Sequence, residues 1–253
     1  AEKILLDVTE LQKRGVLIDQ TAGAWHISML GLIYFERLEF ERALKYFQLA
    51  REGINQLYGM EDQHPESALI LYYISKVYFA QGKYDEALEV GEKAFNLIPK
   101  NENPYLSTLA LIKMGLAEIY RMKRQFDMSK KLFSESLHIM ERIYKKHDMN
   151  IASNLIGAAR LDADLGKYRD AWKKIQRAVR LTEKDIDLKY EYTAEHEKIA
   201  YFRTLDADFY ISLVNALSAN RGVLEEAYGV ILRLKNNALF TSMNQGGEDL
   251  KTK

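Results

Sequence analysis

Cysteine is absent from this 253-residue chain. That excludes disulfides, thiolate nucleophiles and cysteine-ligated metal together, and it suits a reducing, cytoplasmic compartment. Net charge is absent too, since 36 lysines and arginines balance 36 aspartates and glutamates. No global field exists to draw in nucleic acid, an anionic membrane or a strongly cationic partner. No run reaches the roughly eighteen apolar residues of a membrane span. The opening AEKILLDVTELQKRG lacks the basic-then-apolar layout of a signal peptide. It starts on Ala1 rather than methionine, which points to a processed product or an excised piece of a longer chain.

Constellations that carry chemistry are missing as well. The five histidines, His26, His64, His138, His147 and His196, show no helical zinc spacing such as HExxH. Glycines are scattered singly apart from Gly246-Gly247, so no phosphate-cradling loop is present, and there is no GxSxG elbow. Consecutive carboxylates such as Glu225-Glu226 point in different directions on a helix. The expectation is a non-catalytic protein with no metal and no cofactor.

What is present is a period. LEFERAL (38–44), GKYDEAL (82–88), RQFDMSK (124–130) and GKYRDAW (166–172) each run from an aromatic through polar residues to a small one. The small residues Ala43, Ala87, Ser129 and Ala171 are spaced by 44, 42 and 42. Upstream, Gly31, Ser75 and Ala117 precede Tyr34, Tyr78 and Tyr120; the fourth copy has Ala159 and then Asp162. Downstream come Phe47 and Ala50, Gly91 and Ala94, Phe133 and Ser136, and Ile175 and Ala178. Offsets of three, four and seven belong to helices. Each unit therefore reads as two antiparallel helices with a tight turn. The three prolines, Pro65, Pro99 and Pro104, all fall between units, and Asn103-Pro104 reads as an N-cap followed by a first-turn proline.

This grammar resembles the tetratricopeptide repeat in its longer, kinesin-light-chain-like variety, over residues 24–185. The resemblance implies an all-α, right-handed solenoid of stacked helix pairs. Gly31, Ala43, Ala87, Ala94, Ser129, Ala171 and Ala178 would be its packing positions, and longer helices would account for the extra length. Slim faces let helices approach closely, and neighbouring hairpins then bury a core that none could bury alone. Residues 1–22 would be the second helix of an earlier repeat, 23–185 four repeats, 186–243 an atypical closing hairpin and 244–253 a loose tail.

The resemblance also implies a concave groove on the first helix of each pair. Its lining would include Trp25, Ser28, Leu32, Phe35 and Glu36; Leu69, Tyr72, Lys76 and Phe79; Leu111, Met114, Glu118, Arg121 and Met122; and Ser153, Ile156, Arg160 and Asp164. Aromatics, methionines and a few charges suit a peptide or a partner helix. The lysine–asparagine clamp of chaperone-binding relatives is not reproduced, because its places hold Ser28, Leu32, Tyr72 and Lys76. The asparagine ladder of kinesin-light-chain relatives is missing too, with Ile156 and Gly157 in its place.

The C-terminal third breaks the period. EHEKIAYF, ISLVNAL and EEAYGVILRLKNNALF resemble the helical segment that leads into the protease domain of CHAT proteins, although the glycine of that family's final helix is lacking. No protease domain is present here. The leading expectation is a protein-interaction scaffold, the recognition region of a larger bacterial signalling or CHAT-type protein, binding a protein or peptide. The alternative is a stand-alone peptide sensor like those of quorum sensing. Neither nucleic acid nor membrane is expected as a partner, and the sequence does not fix the oligomeric state.

Overall fold

The computed structural model describes residues 20–59, 64–99, 103–144 and 149–189. Among these residues it contains eight α-helices, one turn of 3-10 helix and no strand. They are α1 (Gln20–Glu36), α2 (Phe40–Tyr58), α3 (Ser67–Ala80), α4 (Tyr84–Leu97), α5 (Leu106–Met122), α6 (Phe126–Ile143), α7 (Met149–Asp164) and α8 (Tyr168–Lys189). The earlier repeat expected over 1–22 lies outside the described residues, except that 20–22 open α1. The closing hairpin over 186–243 also lies outside them, apart from 186–189, which continue α8, as does the tail.

The helices pack as consecutive pairs, α1 with α2, α3 with α4, α5 with α6, and α7 with α8. The chain divides into two compact units, 1–143 and 144–253. In the first unit α2 packs on α3 and α4 on α5, while α3 also touches α1 and α5. This is the stacked-hairpin architecture that the period predicts.

Each hairpin turns through the same closure. Leu38, Gly82, Arg124 and Gly166 have left-handed backbones, with φ of 62°, 75°, 58° and 72°. The amide of Leu38 donates to the carbonyl of Phe35 and that of Glu39 to Tyr34, and the same two bonds recur at 82/83, 124/125 and 166/167. This is the Schellman closure of a helix C-terminus. Glycine adopts that backbone without strain, so two of the four copies carry a side chain at a cost.

The slim face is buried as expected. Ala43, Ala87, Ala94, Ser129 and Ala171 have no exposed surface, and Ala178 retains 1%. A Cβ placed on Gly31 would lie 2.5 Å from the Phe47 ring, and one on Gly91 would lie 2.9 Å from Leu116 and 3.1 Å from the Ser75 hydroxyl. Where serine replaces alanine, its hydroxyl finds a carbonyl. Ser75 of α3 donates to Ala87 of α4 at 2.6 Å, and Ser129 of α6 donates to Ala117 of α5 at 2.7 Å. The same inter-helix contact is made twice with donor and acceptor helices exchanged. Ser136 donates in turn to Ala110 at 2.7 Å.

Two details depart from expectation. The repeat length is not carried everywhere by longer helices: α3 and α4 have 14 residues each, so in the second repeat the added residues sit in the connection to α5. Asn103-Pro104 does not open α5 directly; Asn103–Tyr105 form a 3-10 turn and the α-helix begins at Leu106. A tighter first turn suits a helix entered through proline.

The second unit's hairpin, α7 and α8, differs inside. Where Tyr34 stacks on Tyr46 in the first repeat, with ring centroids 5.2 Å apart, the fourth repeat sets Asp162 against Lys174 as an ion pair. Asn154 of α7 is fully buried, and neither its amide nor its carbonyl oxygen has a partner.

Candidate binding groove

The first helices α1 and α3 are apolar almost all round, as QTAGAWHISMLGLIYFE and SALILYYISKVYFA show. A helix packed on several sides needs such a surface, whereas the second helices carry a single apolar stripe. In the first unit, part of each first helix, α1, α3 and α5, meets its hairpin partner and part meets a neighbouring first helix. The remainder forms the candidate site.

Trp25 is half exposed, and Leu32, Phe35, Lys76, Phe79, Met114, Glu118 and Arg121 are half-buried. Phe35 packs tilted against Phe40 at 6.1 Å, and Phe79 against Tyr84 at 5.5 Å, so equivalent rings brace equivalent turns in the first two repeats. The Lys76 ammonium lies 4.9 Å from the centre of the Phe35 ring, joining α3 to α1 by a cation–π contact. Burial pulls the Lys76 pKa below its ordinary value, and Glu36 pulls it back upward. Arg121 donates from Nε to Glu118 at 2.8 Å, so those two charges partly neutralise each other. Ile156 and Arg160 are half-buried on α7, in the second unit.

Tyr72 requires a correction. It is buried, with 6% of its surface exposed, and its ring edge would meet a Cβ on Gly115 of α5 at 2.8 Å. Because α5 has no side chain at that point, the Tyr72 ring fills the space between α3 and α5 instead of lining an open groove. Burial, and secondarily Tyr73, pushes its phenol well above the usual range. Ser28 is likewise buried, donating to the Trp25 carbonyl at 2.7 Å. The glycine at 115 was the sequence signal for the first of these.

A pocket that the sequence reading missed opens beside Trp25. It holds about 270 Å³ and is lined by Trp25 and Ser28 of α1, Ile54 of α2, and Leu69, Ile70 and Tyr73 of α3, with Glu66 just before α3. Tyr73 is fixed from behind by stacking on Phe47 at 5.4 Å. A more open hollow of about 470 Å³ lies between α5 and α6, where Lys113 is paired with Glu135. Among the described residues there is no cluster of three or more His, Asp or Glu able to hold a metal, and no helix is long and apolar enough to cross a membrane.

Repeated helical hairpins with a partly uncovered first-helix face define the class: an α-helical repeat protein. Residues 20–100 match the family model described as Tetratricopeptide repeat. No curated protein matches the sequence. Among solved structures, BtubC (BKLC) from P. vanneervenii is similar with a TM-score of 0.68 at 19% identity, covering 96% of this chain and 91% of that one. The nearly identical TPR-like repeats of a Podosopora anserina putative kinesin light chain give 0.57 at 15% identity, covering 89% and 99%. Bacillus thuringiensis PlcR, solved in complex with the peptide PapR7 and DNA, gives 0.57 at 14% identity, covering 91% and 74%. At these identities the likeness is one of fold.

Proposed function

We propose that the protein is a non-catalytic, cytoplasmic scaffold that binds a protein or peptide segment along the first-helix face. The observation that carries this reading is the set of apolar and aromatic side chains left partly uncovered on α1, α3 and α5: Trp25, Leu32, Phe35, Phe79 and Met114. An extended peptide or an amphipathic helix buries such a surface and gains affinity from a few anchors. In this reading the scaffold is the recognition region of a larger bacterial signalling or CHAT-type protein, supported by the resemblance of residues 195–240.

The second reading is a peptide-sensing regulator, favoured by the fold shared with PlcR, whose structure holds a peptide. A displayed peptide library tests the common element. Peptides selected on the wild-type protein should lose at least ten-fold in affinity on Phe35→Ala or Met114→Ala, with unchanged far-UV circular dichroism. Glu89→Ala, on the outer helix α4, should bind as the wild type does. Equal affinity for all three variants would refute the groove.

A further inference from the structure

The pocket beside Trp25 has a chemistry of its own. Its walls are Ile54, Leu69, Ile70 and two aromatic rings, and among the described residues its one charged lining group is Glu66. Trp25 stands at it with 50% of its surface exposed, an unusual state for the largest apolar side chain unless something covers it. A volume of about 270 Å³ falls just below the roughly 300 Å³ at which small-molecule sites begin. It is sized for a single large side chain. Glu66, exposed just before α3, gives the described lining of the pocket a negative sign.

We infer that this pocket is an anchor for a peptide segment in which a large apolar side chain stands next to lysine or arginine. The apolar residue fills the space between Trp25, Leu69 and Tyr73, and its basic neighbour meets the Glu66 carboxylate and the exposed Trp25 face. Two attractions act on that cation, a charge pair and a cation–π contact. An acidic neighbour would face Glu66 and be repelled, so the pocket selects by sign as well as by size. This rests on the peptide-binding reading above and names the residue pair it recognises.

The probes are short fluorescein-labelled synthetic peptides carrying Phe-Lys, Leu-Arg, Phe-Glu or Ala-Lys in one constant neutral frame, read by anisotropy at low and at physiological salt. The Phe-Lys and Leu-Arg peptides should bind at least ten-fold more tightly than the Phe-Glu and Ala-Lys peptides. Trp25→Ala should remove that preference. Glu66→Lys, an exposed change that leaves the fold intact, should invert it toward Phe-Glu. Trp25 emission should shift to the blue on binding, and with Trp172 buried at 5% exposure the shift reports Trp25. Equal binding of the Phe-Lys and Phe-Glu peptides overturns the inference. So does binding that Phe35→Ala weakens but Trp25→Ala and Glu66→Lys leave alone; the groove then stands without this anchor. Concentration-dependent self-association abolished by Trp25→Ala would make a second copy the occupant and also overturn it. Failure of every peptide, including library-selected ones, would overturn both readings.

Discussion

Two glycines of the first hairpin should respond oppositely to the same added methyl group. Gly31 of α1 sits under Phe47, and a Cβ there would lie 2.5, 2.6 and 2.9 Å from three ring carbons. The ring cannot retreat easily, because Phe47 has no exposed surface and is stacked on Tyr73 of the next hairpin. Overpacking of this kind costs about 1–3 kcal/mol, against which alanine recovers about 1 kcal/mol of helix propensity. Gly31→Ala should therefore lose up to about 2 kcal/mol. Gly53 of α2 faces the same pair of helices, but its nearest neighbour would be the Ala24 Cβ at 3.8 Å, an ordinary contact. Gly53→Ala should keep the propensity gain and become more stable by about 1 kcal/mol. Urea titrations followed by circular dichroism give both midpoints, and an unchanged slope licenses the comparison. Repeating Gly31→Ala in a Phe47→Leu background should reduce its penalty, as coupling through direct contact requires. If both glycine variants shift the midpoint in the same direction, the close approach of α1 and α2 is not what sets stability here.

Other expectations concern the turns, the buried hydroxyls and pH. Leu38→Gly and Arg124→Gly should each stabilise by about 1 kcal/mol, since both residues hold a left-handed backbone that glycine tolerates; thermal melts check this. Ser129→Ala should cost about 1 kcal/mol by removing a buried hydrogen bond, whereas Ser67→Ala should cost nothing or stabilise, because the buried Ser67 hydroxyl has no partner. Burial first, and then Glu92, pushes the Tyr120 phenol from 10.0 up to about 12. Its contribution to stability should be complete below pH 10 and lost as pH climbs toward 12, and Tyr120→Phe should remove that part of the slope in denaturation measured against pH. Lys76 has the opposite sign: its pKa is lowered on folding, so the unfolded chain binds the extra proton and stability should rise with pH on approach to 10.5. Lys76→Met should flatten that rise.

The repeat was legible because its packing positions tolerate only small side chains, and four buried pairs, Gly31/Ala43, Ser75/Ala87, Ala117/Ser129 and Ala159/Ala171, confirm it. The exchange of serine between helices was visible as letters but not as a conserved contact, since either partner's hydroxyl reaches the other's carbonyl. The site was less legible. On a helix apolar all round, such as α3, periodicity does not distinguish a side chain facing a neighbour from one facing open space, so sequence alone assigns Tyr72 to the groove although it is buried. What decides its position is Gly115, 43 positions away in the sequence and adjacent in the fold. The pocket beside Trp25 escaped for a related reason, because it needs residues from three helices and the approach to α3. Asp162 stands where the other three copies carry tyrosine, and its pairing with Lys174 shows how one site holds either stacked rings or an ion pair.

The most direct measurement is hydrogen exchange, with mass spectrometry, of the protein with and without a peptide selected for binding to it. The account predicts slowed exchange in α1, α3 and α5, strongest around Trp25, Phe35 and Phe79, with α4 and α6 unchanged. Protection confined to α4 and α6, leaving the first helices as they were, would contradict it.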